Sequence, residues 1–454
     1  MENWEPMLVP RNAWSPVDEA LFGPQDLFAV PAADAEELRL RAIQHSLDYH
    51  FETNKFYRAL CKDRGFEPKD VKTVDDLKKV PLIPDTIFKG YRNPSEFVQW
   101  LKGLSPDNMQ YPQVKDQSSF DSVIRELQDG GVTVLFSSGT SGRFTFVPRD
   151  DLTWRRLRYA ICMPTLHIAP ICFELLTTPG ERNVMMGLPN PRRTNLFIGR
   201  VGAAVWDFFP DISFHFTSDR EVTTKLIRLS QGQASGLRDK ALAGIVKRAV
   251  VRETAKADDR MIELVKSLAK EHNGGALIGP PFWVARLLSK IEASLGSISL
   301  GDRWVIVTGG GWKLMESTRV AEKKFRERVT STLGIPDQNF RDLYGMVECN
   351  VLFPSCEGHY KHIPSTVLHP FVLDEAFDPL PWGQPGRFAF IDPLANSYPG
   401  FVTTGDRVRI FEHCPACDRP GPVIDQEVTR MPGVEDRGCA TVLRRLLEDE
   451  TMSP

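Results

Sequence analysis

The sequence has no long apolar run and no strongly basic segment. No apolar stretch approaches the roughly 18 residues of a membrane span. The first residues, Met-Glu-Asn-Trp-Glu-Pro, lack the basic and apolar regions of a signal peptide. The formal net charge is -3, which argues against nucleic acid as the main partner. We therefore expect a cytoplasmic protein with no membrane span and no nucleic-acid partner.

A disulfide framework and internal repeats are also absent. Eight cysteines in 454 residues are too few for a disulfide scaffold. In a reducing compartment they are expected to be buried, metal-bound or reactive. With 42% hydrophobic residues, the chain is long enough for two or three packed units.

One stretch, residues 132–145, combines a strand-like run with a turn of small residues. The run is β-branched and aromatic, and residues 137–142 that follow are all small or hydroxylic. Such residues let backbone N–H groups approach an anion closely. Arg143 stands where a Walker A loop has Lys, and the Gly-x-Ser-x-Gly spacing of a hydrolase is missing. The stretch therefore predicts a loop for phosphates, the alternative being a flexible turn.

Strand-like and helix-like segments alternate along most of the chain, which favours an α/β fold with parallel layers. Such a fold binds ligands at the carboxyl ends of its strands. From residue 362 to residue 409, short apolar runs broken by Pro and Gly predict a small β-rich subdomain. The main segments are strands at 183–187, 201–209 and 303–308, a strand and turn at 276–281 and at 340–348, and helices at 36–64, 149–168, 219–230, 237–271, 282–294 and 316–333.

These patterns divide the chain into four parts. Residues 1–35 are Pro-rich and predict an irregular arm on the surface. Residues 36–355 form the α/β core, and residues 356–429 the β-rich subdomain. Residues 430–454 are a hinge and a short tail.

Three motifs follow one another in the order of an established enzyme class. They are the small-residue loop, Asp-Leu-Tyr-Gly-Met-Val-Glu at 342–348, and Thr-Thr-Gly-Asp at 403–406. Together they resemble the adenylate-forming superfamily of acyl-CoA synthetases, peptide-synthetase adenylation domains and luciferases. Three further segments, at 81–89, 356–364 and 437–439, resemble the LuxE-type acyl-protein synthetase branch. Phenylacetate-CoA ligases and phenazine-biosynthesis adenylating proteins are similar, and the resemblance covers roughly residues 25–445.

The resemblance implies an ATP site with Mg²⁺, and simple chemistry agrees with each role. Tyr344 would stack on adenine, Asp406 would accept the ribose hydroxyls, Glu348 would bind Mg²⁺, and Arg430 would lie at a hinge. The structural alternatives are a core tyrosine, a helix-capping glutamate and a turn aspartate. The other residues of the implied ATP site are Ser137, Ser138, Gly139, Thr140, Ser141, Gly142, Arg143, Gly309, Gly310 and Gly311.

A second group of residues has the spacing of a metal site. Cys414 and Cys417 form a Cys-x₂-Cys pair, and Cys356 lies about 50 residues upstream with His359 and His362. Three thiolates and one imidazole make a closed, structural Zn²⁺ site. His362 matches the related enzymes better than His359, and free or redox-active thiols are the alternative.

The C-terminal residues bear on the acyl acceptor. Only 24 residues follow Arg430, so the mobile lid of the superfamily is expected to be missing or vestigial. In the acyl-protein synthetase branch the acyl group passes to a cysteine near the C-terminus, and Cys439 beside Arg437 matches that position. A nearby cation lowers a thiol pKa and so favours the nucleophilic thiolate. The alternative is a small buried residue.

The sequence therefore predicts an ATP-dependent enzyme that converts a fatty or aromatic carboxylic acid into an acyl-adenylate. The acyl group would pass to a thiol or amine, on Cys439, on a partner or carrier protein, or on CoA. One alternative is a catalytically degenerate subunit that only binds nucleotide, and another is a CoA or amide ligase that needs a partner chain. His50 and Lys89 are further candidate site residues, whereas Trp283 and neighbouring aromatics suit either core packing or an acyl pocket. The acid and the oligomeric state stay open.

Overall fold

The computed structural model describes residues 2–137, 143–178, 183–231, 237–271, 273–312 and 319–431. Its helices are α1 (Pro16–Phe22), α2 (Ala32–Thr53), α3 (Lys55–Asp63), α4 (Pro94–Leu104), α5 (Phe120–Asp129), α6 (Asp151–Ile168), α7 (Pro170–Thr177), α8 (Phe197–Phe208), α9 (Thr224–Ser230), α10 (Leu237–Lys270), α11 (Pro281–Leu295) and α12 (Glu322–Leu333). Its strands are β1 (Ile83–Pro84), β2 (Thr133–Ser137), β3 (Thr145–Arg149), β4 (Asn183–Met186), β5 (Ser213–Phe216), β6 (Gly275–Gly279), β7 (Trp304–Gly309), β8 (Phe340–Tyr344), β9 (Phe353–Pro354), β10 (Lys361–His362), β11 (His369–Leu373), β12 (Pro385–Ile391), β13 (Phe401–Phe411), β14 (Val423–Ile424) and β15 (Thr429–Arg430).

The first sheet is the parallel layer that the alternating pattern predicts. In the described residues it has six strands in the order β5-β4-β6-β7-β8-β9, and only the last pair is antiparallel. The strand β7 is buried from Trp304 to Thr308, as expected for a strand that is covered on both faces. The predicted α/β fold is therefore confirmed, and the carboxyl ends of β7 and β8 share one edge.

The second sheet forms the β-rich part of the chain. Its centre is the antiparallel series β11-β12-β13, and β14 and β10 continue it. Two short strands also join β13: β1 runs parallel to it, with Pro84 opposite Thr403, and β15 runs antiparallel, with Arg430 opposite Asp406. The eleven-residue strand β13 thus gathers segments from both ends of the chain.

Three predicted segments differ from the structure. The predicted strand at 201–209 is wrong: residues 201–208 belong to α8, whose small residues Gly199 and Gly202 are buried, and Phe209 caps the helix. Residues 16–22 are helical, and Trp4 donates to the carbonyl of Phe208, so residues 2–35 are neither wholly irregular nor confined to the surface. Of the helix expected at 316–333, the described residues 319–321 are not helical and α12 begins at Glu322, while residues 316–318 lie outside the described ranges.

No single helix in the described ranges is long and apolar enough to cross a bilayer. Only α6 and α7 taken together meet that length and composition, and the chain bends by 108° between them.

Trp283 shows how tightly the parallel layer is packed. Its side chain is 1% exposed and lies against two glycines, Gly187 after β4 and Gly279 at the end of β6. A Cβ atom at Gly187 would come within 2.1 Å of the indole, and one at Gly279 within 2.7 Å. Trp283 is therefore a core residue, as the packing alternative predicts.

We expect Gly187→Ala to destabilise the protein by about 1–3 kcal/mol, because the methyl group overpacks a filled core. The matched control is Gly244→Ala on α10, where an added Cβ atom meets nothing within 4 Å. That change should stabilise the helix by about 0.5–1 kcal/mol. Denaturant unfolding measures both free energies, and equal effects of the two substitutions would contradict the packing described.

Candidate active site

The site begins at the edge where β7 and β8 end. Gly309 closes β7, and Gly310 and Gly311 follow with φ values of 78° and 63°, a conformation that favours glycine. Thr308 donates from its hydroxyl to Asp342 on β8 over 2.7 Å. The predicted glycine run therefore lies beside the strand that leads to Tyr344.

Three residues that the sequence suggested separately are in contact: Tyr344, Asp406 and Arg430. The hydroxyl of Tyr344 donates to Oδ2 of Asp406 over 2.7 Å, and Nη1 of Arg430 lies 3.0 Å from Oδ1. The pairing of β13 with β15 sets Asp406 directly opposite Arg430. A carboxylate oxygen accepts more than one hydrogen bond, so Asp406 keeps capacity for a diol. One face of Tyr344 stacks on Phe353, with ring centroids 5.6 Å apart.

Glu348 lies in the loop after β8 and is only 5% exposed. Burial raises the pKa of the Glu348 carboxyl. The positive charge of Lys89 lowers that pKa, whereas the negative charges of Asp85 and Asp406 raise it further. Burial likewise raises the pKa of Asp406, with Arg430 opposing it. Each buried carboxylate therefore favours a nearby cation, and a metal ion is one such partner.

Lys89 is brought into this group by the fold. The strand β1 adds to β13, and the short 3₁₀ helix Asp85–Lys89 follows it directly. Nζ of Lys89 lies 3.4 Å from Oδ2 of Asp85, and the Lys89 side chain is 21% exposed. Sequence reasoning treated Lys89 as a weak candidate, although the segment 81–89 was one of the signals of family resemblance. The positive charge of Lys89 lowers the pKa of both the Glu348 and the Asp406 carboxyl.

His50, the other weak candidate, is a buried residue with a structural role. Its side chain is fully buried, and Nε2 lies 2.9 Å from the carbonyl oxygen of Ala395. Burial lowers the pKa of His50 to about 4, so the imidazole is neutral. The structure does not bring His50 together with Glu348.

The predicted phosphate loop begins at the end of β2. The strands β2 and β3 form an antiparallel hairpin, in which half-buried Ser137 pairs with Thr145. Arg143 is exposed. The residues between, Ser138, Gly139, Thr140, Ser141 and Gly142, lie outside the described ranges, and so do Arg437 and Cys439. The helix expected behind the loop is α6, which starts only after β3.

The four proposed zinc ligands lie together at the end of the β-rich sheet. The ligand atoms of Cys356, His362, Cys414 and Cys417 all lie within 4.8 Å of one another. Sγ of Cys356 is 3.8 Å from Sγ of Cys414, and Sγ of Cys417 is 3.4 Å from Nε2 of His362. A tetrahedron with Zn–S of about 2.3 Å and Zn–N of about 2.0 Å has edges of about 3.8 and 3.5 Å. The spacing therefore fits this metal.

The protonation chemistry of the cluster agrees with that fit. Burial raises the pKa of the Cys356 and Cys414 thiols, so they need a cation to become thiolates. Burial lowers the pKa of His362 to about 4, which leaves the neutral imidazole that metals bind. His359 is not in the cluster, because its Nε2 lies 3.0 Å from Asp337.

Comparison with known proteins agrees with this geometry. Residues 251–448 match the family described as acyl-protein synthetase, LuxE. A long-chain-fatty-acid–luciferin-component ligase of Vibrio harveyi is 25% identical over 411 residues, covering 90% of this chain and 87% of the relative. A ligase of the same name from Aliivibrio fischeri is 29% identical over 174 residues, 38% of this chain and 46% of the relative.

Solved structures share the fold. An open conformation of 2-hydroxyisobutyryl-CoA ligase with 2-HIB-AMP and CoA has a TM-score of 0.57 at 16% identity, covering 95% of this chain and 77% of that chain. The same ligase in the postadenylation state also has a TM-score of 0.57, at 15% identity. This match covers 95% of this chain and 75% of that chain. The chain thus shares the fold of these ligase structures. In sequence it is similar to the LuxE acyl-protein synthetases.

Proposed function

We propose that the protein activates a carboxylic acid with ATP and transfers the acyl group to a thiol or an amine. The observation that carries the proposal is the convergence of Tyr344, Glu348, Asp406 and Lys89 where the two sheets meet. The names of both curated relatives include a long-chain fatty acid, which favours a fatty acid over an aromatic one as substrate.

The first step is attack by a carboxylate oxygen of the acid on the α-phosphorus of ATP. Pyrophosphate leaves, and an acyl-adenylate remains. Tyr344 offers a flat ring for the adenine, Asp406 accepts from the ribose hydroxyls, and Lys89 neutralises negative charge between the reacting groups. Glu348 is the residue that would hold Mg²⁺, an ion that neutralises phosphate oxygens when bound. Most of the catalysis is then positioning and charge neutralisation.

The second step is attack by a nucleophile on the acyl carbonyl carbon, with AMP as the leaving group. A thiol gives a thioester and an amine gives an amide. We consider three acceptors: Cys439, a cysteine or lysine of a partner or carrier protein, and CoA. The family that matches residues 251–448 is described as acyl-protein synthetase, which favours an acceptor protein.

We expect carboxylate-dependent exchange of pyrophosphate into ATP for the wild-type chain, strongest with long-chain fatty acids. Glu348→Gln should lower the exchange rate by about 100-fold or more, because it removes a charged group that acts on the transition state. Cys439→Ala is the control, since it alters only the second step and should leave exchange unchanged. ATP binding without exchange for any acid would instead favour the nucleotide-binding subunit.

Lys89→Met should lower the exchange rate by about 10- to 100-fold, since the fixed cation of the first step is lost. Lys89→Arg keeps the charge and should recover part of the rate, because a planar guanidinium places that charge differently. The matched control is Lys79→Met, which breaks a comparable pair with Asp76 on the exposed surface. If Lys89→Met exchanged at the wild-type rate, Lys89 would have no role in activation.

We also propose that Cys356, His362, Cys414 and Cys417 hold one structural Zn²⁺ ion. The purified protein should contain about one zinc per chain, and Cys417→Ser should lower both the zinc content and the melting temperature. The matched control is Cys61→Ala, which alters a buried cysteine far from this cluster. Elemental analysis with thermal unfolding tests this, and zinc-free wild-type protein of unchanged stability would rule the site out.

A further inference from the structure

A buried polar network surrounds the loop that carries Glu348. The guanidinium of Arg149, at the end of β3, is 0% exposed. It donates from Nε to Oδ1 of Asn350 over 3.0 Å and from Nη2 to the carbonyl of Val347 over 2.6 Å. Burying a guanidinium in this way is costly unless its donors are used, and these bonds offset that cost.

The network continues into the β-rich part of the chain. Nδ2 of Asn350 donates to Oδ2 of Asp392 over 3.0 Å and to the hydroxyl of Tyr398 over 2.9 Å. The backbone N–H of Asn350 also donates to Oδ2 of Asp392, over 2.7 Å. The Tyr398 hydroxyl in turn donates to the carbonyl of Glu348 over 3.1 Å. Asn350, Asp392 and Tyr398 are all 0% exposed.

Two of these bonds act on Glu348 itself. The carbonyl of Val347 belongs to the peptide plane before the Glu348 Cα, and the carbonyl of Glu348 belongs to the plane after it. A peptide plane is rigid, so a hydrogen bond to each plane restrains φ and ψ of Glu348. The direction of its Cα–Cβ bond is restrained with them.

The same segments also meet next to Arg149. The N–H of Asp150 donates to the hydroxyl of Ser397 over 2.8 Å, and Nδ2 of Asn396 donates to Oδ2 of Asp150 over 2.6 Å. The hairpin β2–β3, which carries the predicted phosphate loop, is thereby joined to residues 392–398 and to the Glu348 loop.

We propose that Arg149 and Tyr398 are positioning residues, which hold Glu348 in the orientation needed to bind Mg²⁺ beside the phosphates of ATP. The inference rests on the proposed function, because it assigns a purpose to the magnesium role of Glu348. Neither residue touches substrate in this account; each acts through the backbone of Glu348.

The test is the gain in ATP affinity that Mg²⁺ produces, measured by calorimetry as the ratio of dissociation constants without and with Mg²⁺. Tyr398→Phe removes one hydroxyl and should lower this ratio about fivefold, the factor that one buried hydrogen bond corresponds to. Its ATP affinity without Mg²⁺ should stay at the wild-type value. Arg149→Lys keeps the charge, loses the planar fork, and should lower the ratio at least as much.

Two comparisons separate positioning from general destabilisation. Tyr57→Phe deletes an equally buried hydroxyl that bonds to the carbonyl of Pro81, and it should leave the ratio unchanged. In the Glu348→Gln background, Tyr398→Phe should have no further effect, because both changes act on one interaction.

A wild-type ratio in Tyr398→Phe, or an equal loss in both backgrounds, would overturn the positioning role while leaving the proposed function intact. If the wild-type protein binds ATP no better with Mg²⁺ than without it, the magnesium role of Glu348 fails, and the positioning role fails with it.

Discussion

Two buried carboxylates, Glu348 and Asp406, govern the arrangement of this protein. They lie 5% and 9% exposed where the parallel sheet meets the β-rich sheet. A buried charge is tolerated only beside opposite charge or hydrogen-bond donors. Lys89 and Arg430 supply the charge, and the Tyr344 hydroxyl supplies a donor. The fold therefore has to bring segments from residues 89, 344, 406 and 430 to one place.

The strand β13 brings most of these segments together. It carries Asp406, pairs with β1 on the side that leads to Lys89, and pairs with β15 at Arg430. Soon after its end come Cys414 and Cys417, which lie with Cys356, before β10, and His362, within β10. The proposed zinc ion would thus hold the end of the same strand that presents Asp406, the residue we propose to bind the ribose. The two proposed sites would be connected through one strand without sharing a ligand.

Local sequence patterns predicted those parts whose causes are local. The apolar run before Gly309 predicted β7, and Cys-x₂-Cys with an upstream Cys predicted the three cysteines that cluster. The choice of His362 over His359 came from the resemblance to related enzymes. Segment 201–209 was misassigned, because its aromatic content suggests a strand while its buried small residues, Gly202, Ala203 and Ala204, serve helix packing. The place of Lys89 and the network around Arg149 depend on contacts about 200 to 320 residues apart in sequence, which no periodicity encodes.

The central claim is that a carboxylate oxygen attacks the α-phosphorus of ATP. The most direct measurement is a turnover with long-chain fatty acid labelled with ¹⁸O in both carboxylate oxygens, followed by mass spectrometry of the nucleotide products. Attack at the α-phosphorus leaves one labelled oxygen on AMP after acyl transfer, because the acyl C–O bond is the one that breaks. We predict AMP that carries a single ¹⁸O and unlabelled pyrophosphate. Label in orthophosphate, with ADP as the nucleotide product, would indicate an acyl phosphate and would contradict the account.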